Sequence, residues 1–178
     1  MILFIPDRVI NFVEKHKYYW RRKFWTEYSK RHISSYGERL AVTHRSHFND
    51  NIDVGDDVCF NGMYIQGFGH VKIGNNFHSG VQVMMITSNH NYDGGSLIPY
   101  DFTFIPKDIV IDDFVWIGNR ATIIGPVHIG KGAIIGANAT ITKDVPPFAI
   151  MGGVDKILKY RNIAHFKTLE NENKFWRE

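Results

Sequence analysis

From Asp7 to about Arg31 the chain contains neither proline nor glycine. Val9, Val13, Trp20, Phe24 and Tyr28 recur there near one face at helical spacing, which predicts one or two helices. Beyond Arg45 that periodicity stops, and Asp, Asn and Gly alternate with single β-branched residues. A repeat then emerges. Ile111, Ile117, Ile123, Ile129, Ile135 and Ile141 recur every six residues without a slip. Four positions after each lies Val115, Ala121, Val127, Ala133, Ala139 or Val145, always small or β-branched. Glycine directly follows three of the isoleucines, at Gly118, Gly130 and Gly136. Neither a helix nor a long strand has a period of six. Six fits an all-β solenoid in which each hexapeptide forms one short side, with an aliphatic residue inside and a turn after it. Three sides close a triangular coil of about eighteen residues, and stacked coils bury the isoleucines in one column.

The same phase appears earlier in Ile73-Gly74-Asn75-Asn76-Phe77 and, more loosely, in Val54-Gly55-Asp56-Asp57-Val58. These lie nineteen residues apart, so that coil carries an inserted residue. Between residues 91 and 108 the pattern fails, in a segment opening with Asn91-Tyr92-Asp93-Gly94-Gly95 and containing Pro99 and Pro106. A loop this long inside a compact repeat is usually functional. Pro146-Pro147 ends the hexads, and the remainder reads as mostly helix-compatible. The expected division is a basic helical leader over 1–45, a β-helix over 46–154 and a short helical tail over 155–178.

Charge sharpens this division. The net charge of +3 over 178 residues divides unevenly: residues 1–45 hold ten Lys/Arg against four Asp/Glu, and the rest eleven against fourteen. The leader is therefore basic and the body mildly acidic. Its Arg21-Arg22-Lys23 beside aromatic residues fits a helix on an anionic membrane surface, but Lys17 interrupts the apolar stripe, which favours a helix packed on its own or a neighbouring subunit. No stretch approaches the ~20 apolar residues that span a bilayer. Met1-Ile2-Leu3-Phe4-Ile5 lacks the flanks of a secretory signal. With Cys59 the single cysteine, no intrachain disulfide framework or cysteine-rich zinc site is available. The expected compartment is the cytoplasm, peripheral to the inner face of the membrane if the leader binds lipid.

The isoleucine hexads, Asn89-His90, Val115-Trp116-Ile117-Gly118, Ile135-Gly136-Ala137-Asn138-Ala139 and Thr142-Lys143-Asp144-Val145-Pro146-Pro147 together resemble the hexapeptide-repeat acyltransferases. The nearest branch is that of the galactoside, maltose and polysaccharide O-acetyltransferases, and the likeness covers about residues 52–161. The resemblance implies a left-handed parallel β-helix, a homotrimer, and acetyl-CoA as co-substrate in a groove between subunits, with no metal. It also implies a saccharide or glycan-precursor acceptor, here in surface polysaccharide, O-antigen or capsule biosynthesis.

Moving acetyl from a thioester to a sugar hydroxyl needs a proton acceptor, oxyanion donors and two aligned substrates. Imidazole is the natural base near neutral pH. His90 closes the coil starting at Ile73, directly precedes the loop, and matches the family's catalytic histidine. The resemblance implies direct transfer with His90 as general base; Cys59 reads as a small core residue. Asn89 could position the acceptor or shape a corner, and Trp116 could wall the substrate site or simply pack. Asn61 resembles the family's acceptor-binding asparagine if one residue is deleted after it. Gly67-Phe68-Gly69 stands where galactoside acetyltransferases carry a sugar-contacting aspartate. Tyr92, Asp93 and Tyr100 are further acceptor candidates. By family position, Asn119, Gly136, Ala137, Thr142 and Lys143 line the CoA groove. Lys156, Lys159 and Arg161 match basic residues for its phosphates, or form a solvated helix face.

Three other functions compete. An N-acetyltransferase of a nucleotide-linked amino sugar shares the fold but usually carries an N-terminal nucleotide-binding βαβ domain, which residues 1–45 cannot hold. A metal-dependent hydratase of the γ-carbonic-anhydrase type requires three converging histidines, with His70, His78 and His90 as its candidates. The last is a scaffold without activity. Nucleic-acid binding lacks both a motif and a basic body.

Overall fold

The computed structural model describes residues 6–176. Met1–Ile5, on which the reading of a poor secretory signal rests, lie outside the described residues, as do Arg177 and Glu178. The chain is a parallel β-solenoid of about six turns, with a helix at its N-terminal end and a short one at its C-terminal end. Its first flat side stacks Ser35–Tyr36, Ile52–Val54, Val71–Ile73, Ile109–Ile111 and Val127–Ile129. The second stacks Ala41–Val42, Cys59–Phe60, His78–Ser79, Trp116–Ile117, Ile134–Ile135 and Ala149–Gly152. The third stacks Met63–Gln66, Val83–Ile86, Thr122–Ile124 and Thr140–Ile141.

The hexad isoleucines fill the interior. Ile111, Ile117, Ile123, Ile129, Ile135 and Ile141 are all at most 1% exposed, and the residue four positions after each is buried too. Register is strict: Ile111 pairs with Ile73 and Ile129, and Ile123 with Met85 and Ile141. Apolar side chains alternate inward because a one-residue slip would turn the whole column to solvent. Cys59 is buried, as expected of a small core residue.

The solenoid begins earlier than the expected boundary at residue 46. Ser35–Tyr36 pairs with Asp53 and Val54, and Ala41–Val42 with Cys59 and Phe60. Ile33, Leu40 and Val42 join the core, but polar residues between them hide the six-residue period. Upstream, helix α1 (Asp7–Ser29) docks by its C-terminal end. Thr26 Oγ1 accepts a 2.9 Å bond from Val42 N–H, Ser29 is fully buried, and Trp25 packs against the core.

The C-terminal end also departs from expectation. Lys156–Tyr160 is a strand, not helix, and runs antiparallel to Ala149–Gly152. Pairing there covers the open edge of the last coil, a requirement that outweighs local helix preference. Helix α2 (Ile163–Asn171) follows, its N-terminus capped by Asn162 Oδ1, which accepts from His165 N–H at 3.0 Å. Phe114 and Phe148 turn corners at φ of 62° and 61°, which is strained for bulky residues. Phe166 of α2 covers both rings, with centroids 5.6 and 5.1 Å away.

The long loop interrupts the stack without breaking it. Ile109 lies 38 residues after its partner Val71, whereas Val127 lies 18 after Ile109, so the loop adds 20 residues to one coil. It leaves after Ser88–His90 and returns as Phe104–Pro106, the two segments pairing antiparallel.

The isoleucine column carries a direct prediction. Ile135→Ala should cost about 2–5 kcal/mol, whereas Thr122→Ala, on an outward position of the neighbouring side, should change stability by less than about 0.5 kcal/mol. Urea unfolding followed by circular dichroism measures both.

Candidate active site around His90

The third side ends at Ile86, and Thr87, fully buried, turns the chain outward. His90 then sits directly opposite Phe104 in the antiparallel pair. Tyr100, from the loop, lies flat on the imidazole, with ring centroids 3.7 Å apart and planes 17° apart. Phe104 tilts against it at 4.4 Å. The ring is thus gripped between two aromatic side chains. Its Nδ1 is buried and makes no hydrogen bond. An unpaired buried polar atom costs about 1–3 kcal/mol, a cost shared by Arg21 Nε, Ser29 Oγ and Asn76 Oδ1 elsewhere on the chain.

His90 opens onto a cleft of about 610 Å³, lined with Gln66, Gly67, Phe68, Ile86, Ser88, Asn89, Tyr92, Tyr100 and Phe104. The lining holds aromatic rings and neutral polar groups, and neither a carboxylate nor a cation. Gly67-Phe68-Gly69 has a physical reason. A Cβ on Gly67 would meet Ser88 N at 2.6 Å, and one on Gly69 would meet Lys107 O at 2.5 Å. Gly67 also sits at φ 102°. Only glycine lets this corner abut both ends of the hairpin, and the corner presents Phe68, whose ring meets Phe104 at 4.8 Å. Asn89 lines the cleft while its amide is held by neighbouring groups. In the orientation that satisfies both ends of its amide, Nδ2 donates to Ser88 O at 3.1 Å and Oδ1 accepts from Lys107 Nζ at 2.9 Å.

The loop is stapled by Asp101. Its carboxylate accepts from Thr103 Oγ1 at 2.6 Å and Thr103 N–H at 2.9 Å, and from Ser96 N–H at 2.8 Å. The Thr103 hydroxyl, followed by the two backbone N–H groups, holds this carboxyl well below the usual carboxylate range. Asp101 adjoins Tyr100, so the staple fixes the residue that covers His90. Asp93, by contrast, is exposed and does not line the cleft.

The remaining predicted residues lie elsewhere on the chain. Asn61 bridges coils: Oδ1 accepts from the Thr43 hydroxyl, and Nδ2 donates to Ser79 O at 2.8 Å. Trp116 is 53% exposed on the second side, in register with His78 and Ile134. Asn119 Oδ1 accepts from Val81 N–H at 3.0 Å. Gly136 N–H donates to Met151 O at 2.9 Å, and a Cβ there would meet that oxygen at 2.8 Å. Ala137 is exposed beside it. Thr142 donates to Asp155 through its N–H at 2.7 Å and through its hydroxyl. Burial raises the Asp155 carboxyl, but the bonds from Thr142 outweigh it and hold the group below its ordinary value. Lys143, Lys156 and Lys159 are exposed, the last two on the terminal strand rather than a helix face. Arg161 is committed inside the chain. It donates to Gly132 O at 3.2 Å, its guanidinium lies 4.9 Å from the Phe166 ring, and burial lowers its pKa.

His70, His78 and His90 do not converge. His70 Nε2 pairs with Asp53 at 2.7 Å, His78 stacks edge-on with Trp176 at 4.5 Å, and His90 lies in its aromatic clamp. Among the described residues no group of three metal-ligating side chains is present.

The profile described as "Bacterial transferase hexapeptide (six repeats)" matches residues 108–143. The matched stretch is the part of the chain that carries the unbroken isoleucine hexads. A solved structure similar to it is that of the hexapeptide-repeat-containing acetyltransferase VCA0836 of Vibrio cholerae complexed with acetyl coenzyme A. The two are 26% identical with a TM-score of 0.64, over 74% of this chain and 73% of that one. A galactoside acetyltransferase in complex with coenzyme A shares the fold, with a TM-score of 0.60 and 22% identity over 77% of this chain and 70% of that one. The bifunctional protein GlmU of Thermotoga maritima is 35% identical over 98 residues, which are 54% of this chain. This chain thus spans 19% of that relative's length.

Sequence reasoning missed Phe68, Phe104 and Asp101. Phe68 was visible only as part of a departure from the family pattern, and the pairing that brings Phe104 opposite His90 has no six-residue signal.

The staple is testable. Asp101→Ala should make the 91–108 loop cleave several-fold faster in limited proteolysis while the unfolding midpoint stays unchanged. Because the folded pKa is depressed, the staple is complete above the ordinary aspartate pKa of about 3.9 and fades only as pH falls toward the folded value. Wild-type loop protection should therefore be flat from pH 7 to about 4.5.

Proposed function

We propose that this protein is an acetyl-CoA-dependent O-acetyltransferase that modifies a saccharide hydroxyl, in the decoration of a surface polysaccharide. The observation that carries this reading is His90, clamped by Tyr100 and Phe104 at the mouth of a cleft, with a buried Nδ1 that no protein group satisfies. An imidazole held in one plane beside a substrate-sized cavity suits a general base.

The acceptor hydroxyl gives its proton to His90 as its oxygen attacks the thioester carbonyl. A tetrahedral intermediate forms and collapses, the C–S bond breaks, and the CoA thiolate takes the proton back from the imidazolium. The products are an acetyl ester and free CoA. Transfer is direct, since the chain's single thiol, Cys59, is buried in the core and no covalent intermediate is needed. Phe68, Tyr92 and Tyr100 offer flat apolar faces to a pyranose ring, and the absence of charge from the cleft lining suits a neutral acceptor.

The reading includes a homotrimer, with CoA between subunits. Trp116, Asn61, Asn119 and Ala137 lie away from the cleft of their own chain, and a neighbouring subunit would bring such residues to it. Exposed Lys143, Lys156 and Lys159 are the favoured candidates for the CoA phosphates, with Arg161, which also donates to Gly132 O, beside them.

A panel of saccharides incubated with labelled acetyl-CoA tests the proposal. Label should enter a sugar as an ester that hydroxylamine releases, and His90→Ala should lower the rate about 10²–10⁴-fold. Hydroxylamine-resistant label would instead indicate an amine acceptor, as in the N-acetyltransferase alternative.

A further inference from the structure

Helix α1 turns the wrong side to its own protein. Trp25, Thr26 and Ser29, which bind it to the first coil, occupy one face. The apolar stripe of Val9, Val13, Trp20, Phe24 and Tyr28 occupies the opposite one. That stripe is exposed along its whole length, with Trp20 and Phe24 each 61% accessible. Residues 6–20 touch the solenoid so little that every one of them is exposed. Most of a 23-residue helix therefore projects from the body with its aromatic face uncovered.

We propose that α1 is an interfacial helix that lies on an anionic lipid surface. Three observations favour lipid over a protein partner. The helix carries six Lys/Arg against three Asp/Glu, while the solenoid and tail from Ser35 onward carry thirteen against fifteen. An anionic surface thus attracts the helix and repels the solenoid, which orients the molecule. The stripe is rich in Trp, Tyr and Phe rather than Leu and Ile, the composition that settles at headgroup depth. A cation flanks that stripe: Lys23 Nζ lies 5.5 Å from the Trp20 ring centre. Long basic side chains so arranged hold their charge at the phosphate level while the rings enter the acyl boundary. Among the described residues no helix is long and apolar enough to cross a membrane, so α1 lies on the surface rather than spanning it.

Flotation of the full chain with vesicles tests this. Vesicles of phosphatidylcholine with one-third phosphatidylglycerol should carry the protein, and vesicles of phosphatidylcholine alone should not. Lys15→Glu with Lys23→Glu should weaken partition at least 10-fold, since each cation near the surface contributes about fivefold. Trp20→Glu with Phe24→Glu should abolish binding. Both positions are exposed, so circular dichroism should show an unchanged fold. No flotation, or flotation unaffected by the Trp20/Phe24 double variant, overturns the proposal. So does a loss of oligomeric mass in that variant, by light scattering without lipid, because the stripe would then be a contact between copies of this chain.

Discussion

Everything in this structure depends on the stacking of one coil on the next in strict register. Each side is only two to four residues wide, so no strand could persist alone. What holds it is the coil above and below, through a ladder of backbone bonds and a column of branched side chains. The stacking also dictates which residues the corners allow. Gly118 and Gly136 repeat because the next turn of chain passes where a Cβ would be, 2.7 Å from Ala137 N and 2.8 Å from Met151 O respectively. Positions with the look of ligand-binding glycines thus have a structural reason that is sufficient by itself.

The site depends on a controlled departure from that stacking. After Thr87 the chain leaves the third side, pairs with itself antiparallel, and re-enters register at Ile109. The excursion is tolerated because the coils on both sides are fully stacked. There His90 sits between Tyr100 and Phe104 at the edge of a cavity, a position that the hairpin creates outside the regular sides. The Gly67 corner and the Asp101 staple work together. One lets the hairpin approach the preceding coil; the other fixes the loop that lays Tyr100 over His90. A rigid frame thus supports a locally irregular site, a common division of labour between scaffold and loop.

The repeat was legible because it is periodic and because one residue type, isoleucine, dominates it. Six isoleucines in phase reported the column, and the failure of phase at 91–108 reported the loop. His90 was legible from its position at the boundary between the two. Legibility ended where contacts are set by tertiary pairing. The first coil was hidden because polar residues between Ile33, Leu40 and Val42 break the six-residue period. Lys156–Tyr160 reads as helix-compatible, yet it pairs with the last coil's edge. Asn61 and Asn89 look like acceptor ligands by motif, but their amides are engaged with Thr43, Ser79, Ser88 and Lys107. Arg161 matches a phosphate ligand by position, and its guanidinium also donates to Gly132 O and lies over Phe166, contacts that the sequence does not signal.

As the proposed base of a direct acyl transfer, His90 would contribute to chemistry rather than to folding or CoA affinity. The most direct measurement follows acceptor-dependent thiol release from acetyl-CoA by wild type and His90→Ala, with the CoA Kd measured calorimetrically on the same samples. The account predicts equal Kd values and unfolding midpoints, with thiol release lost in the variant. Equal thiol release by the two proteins would contradict it.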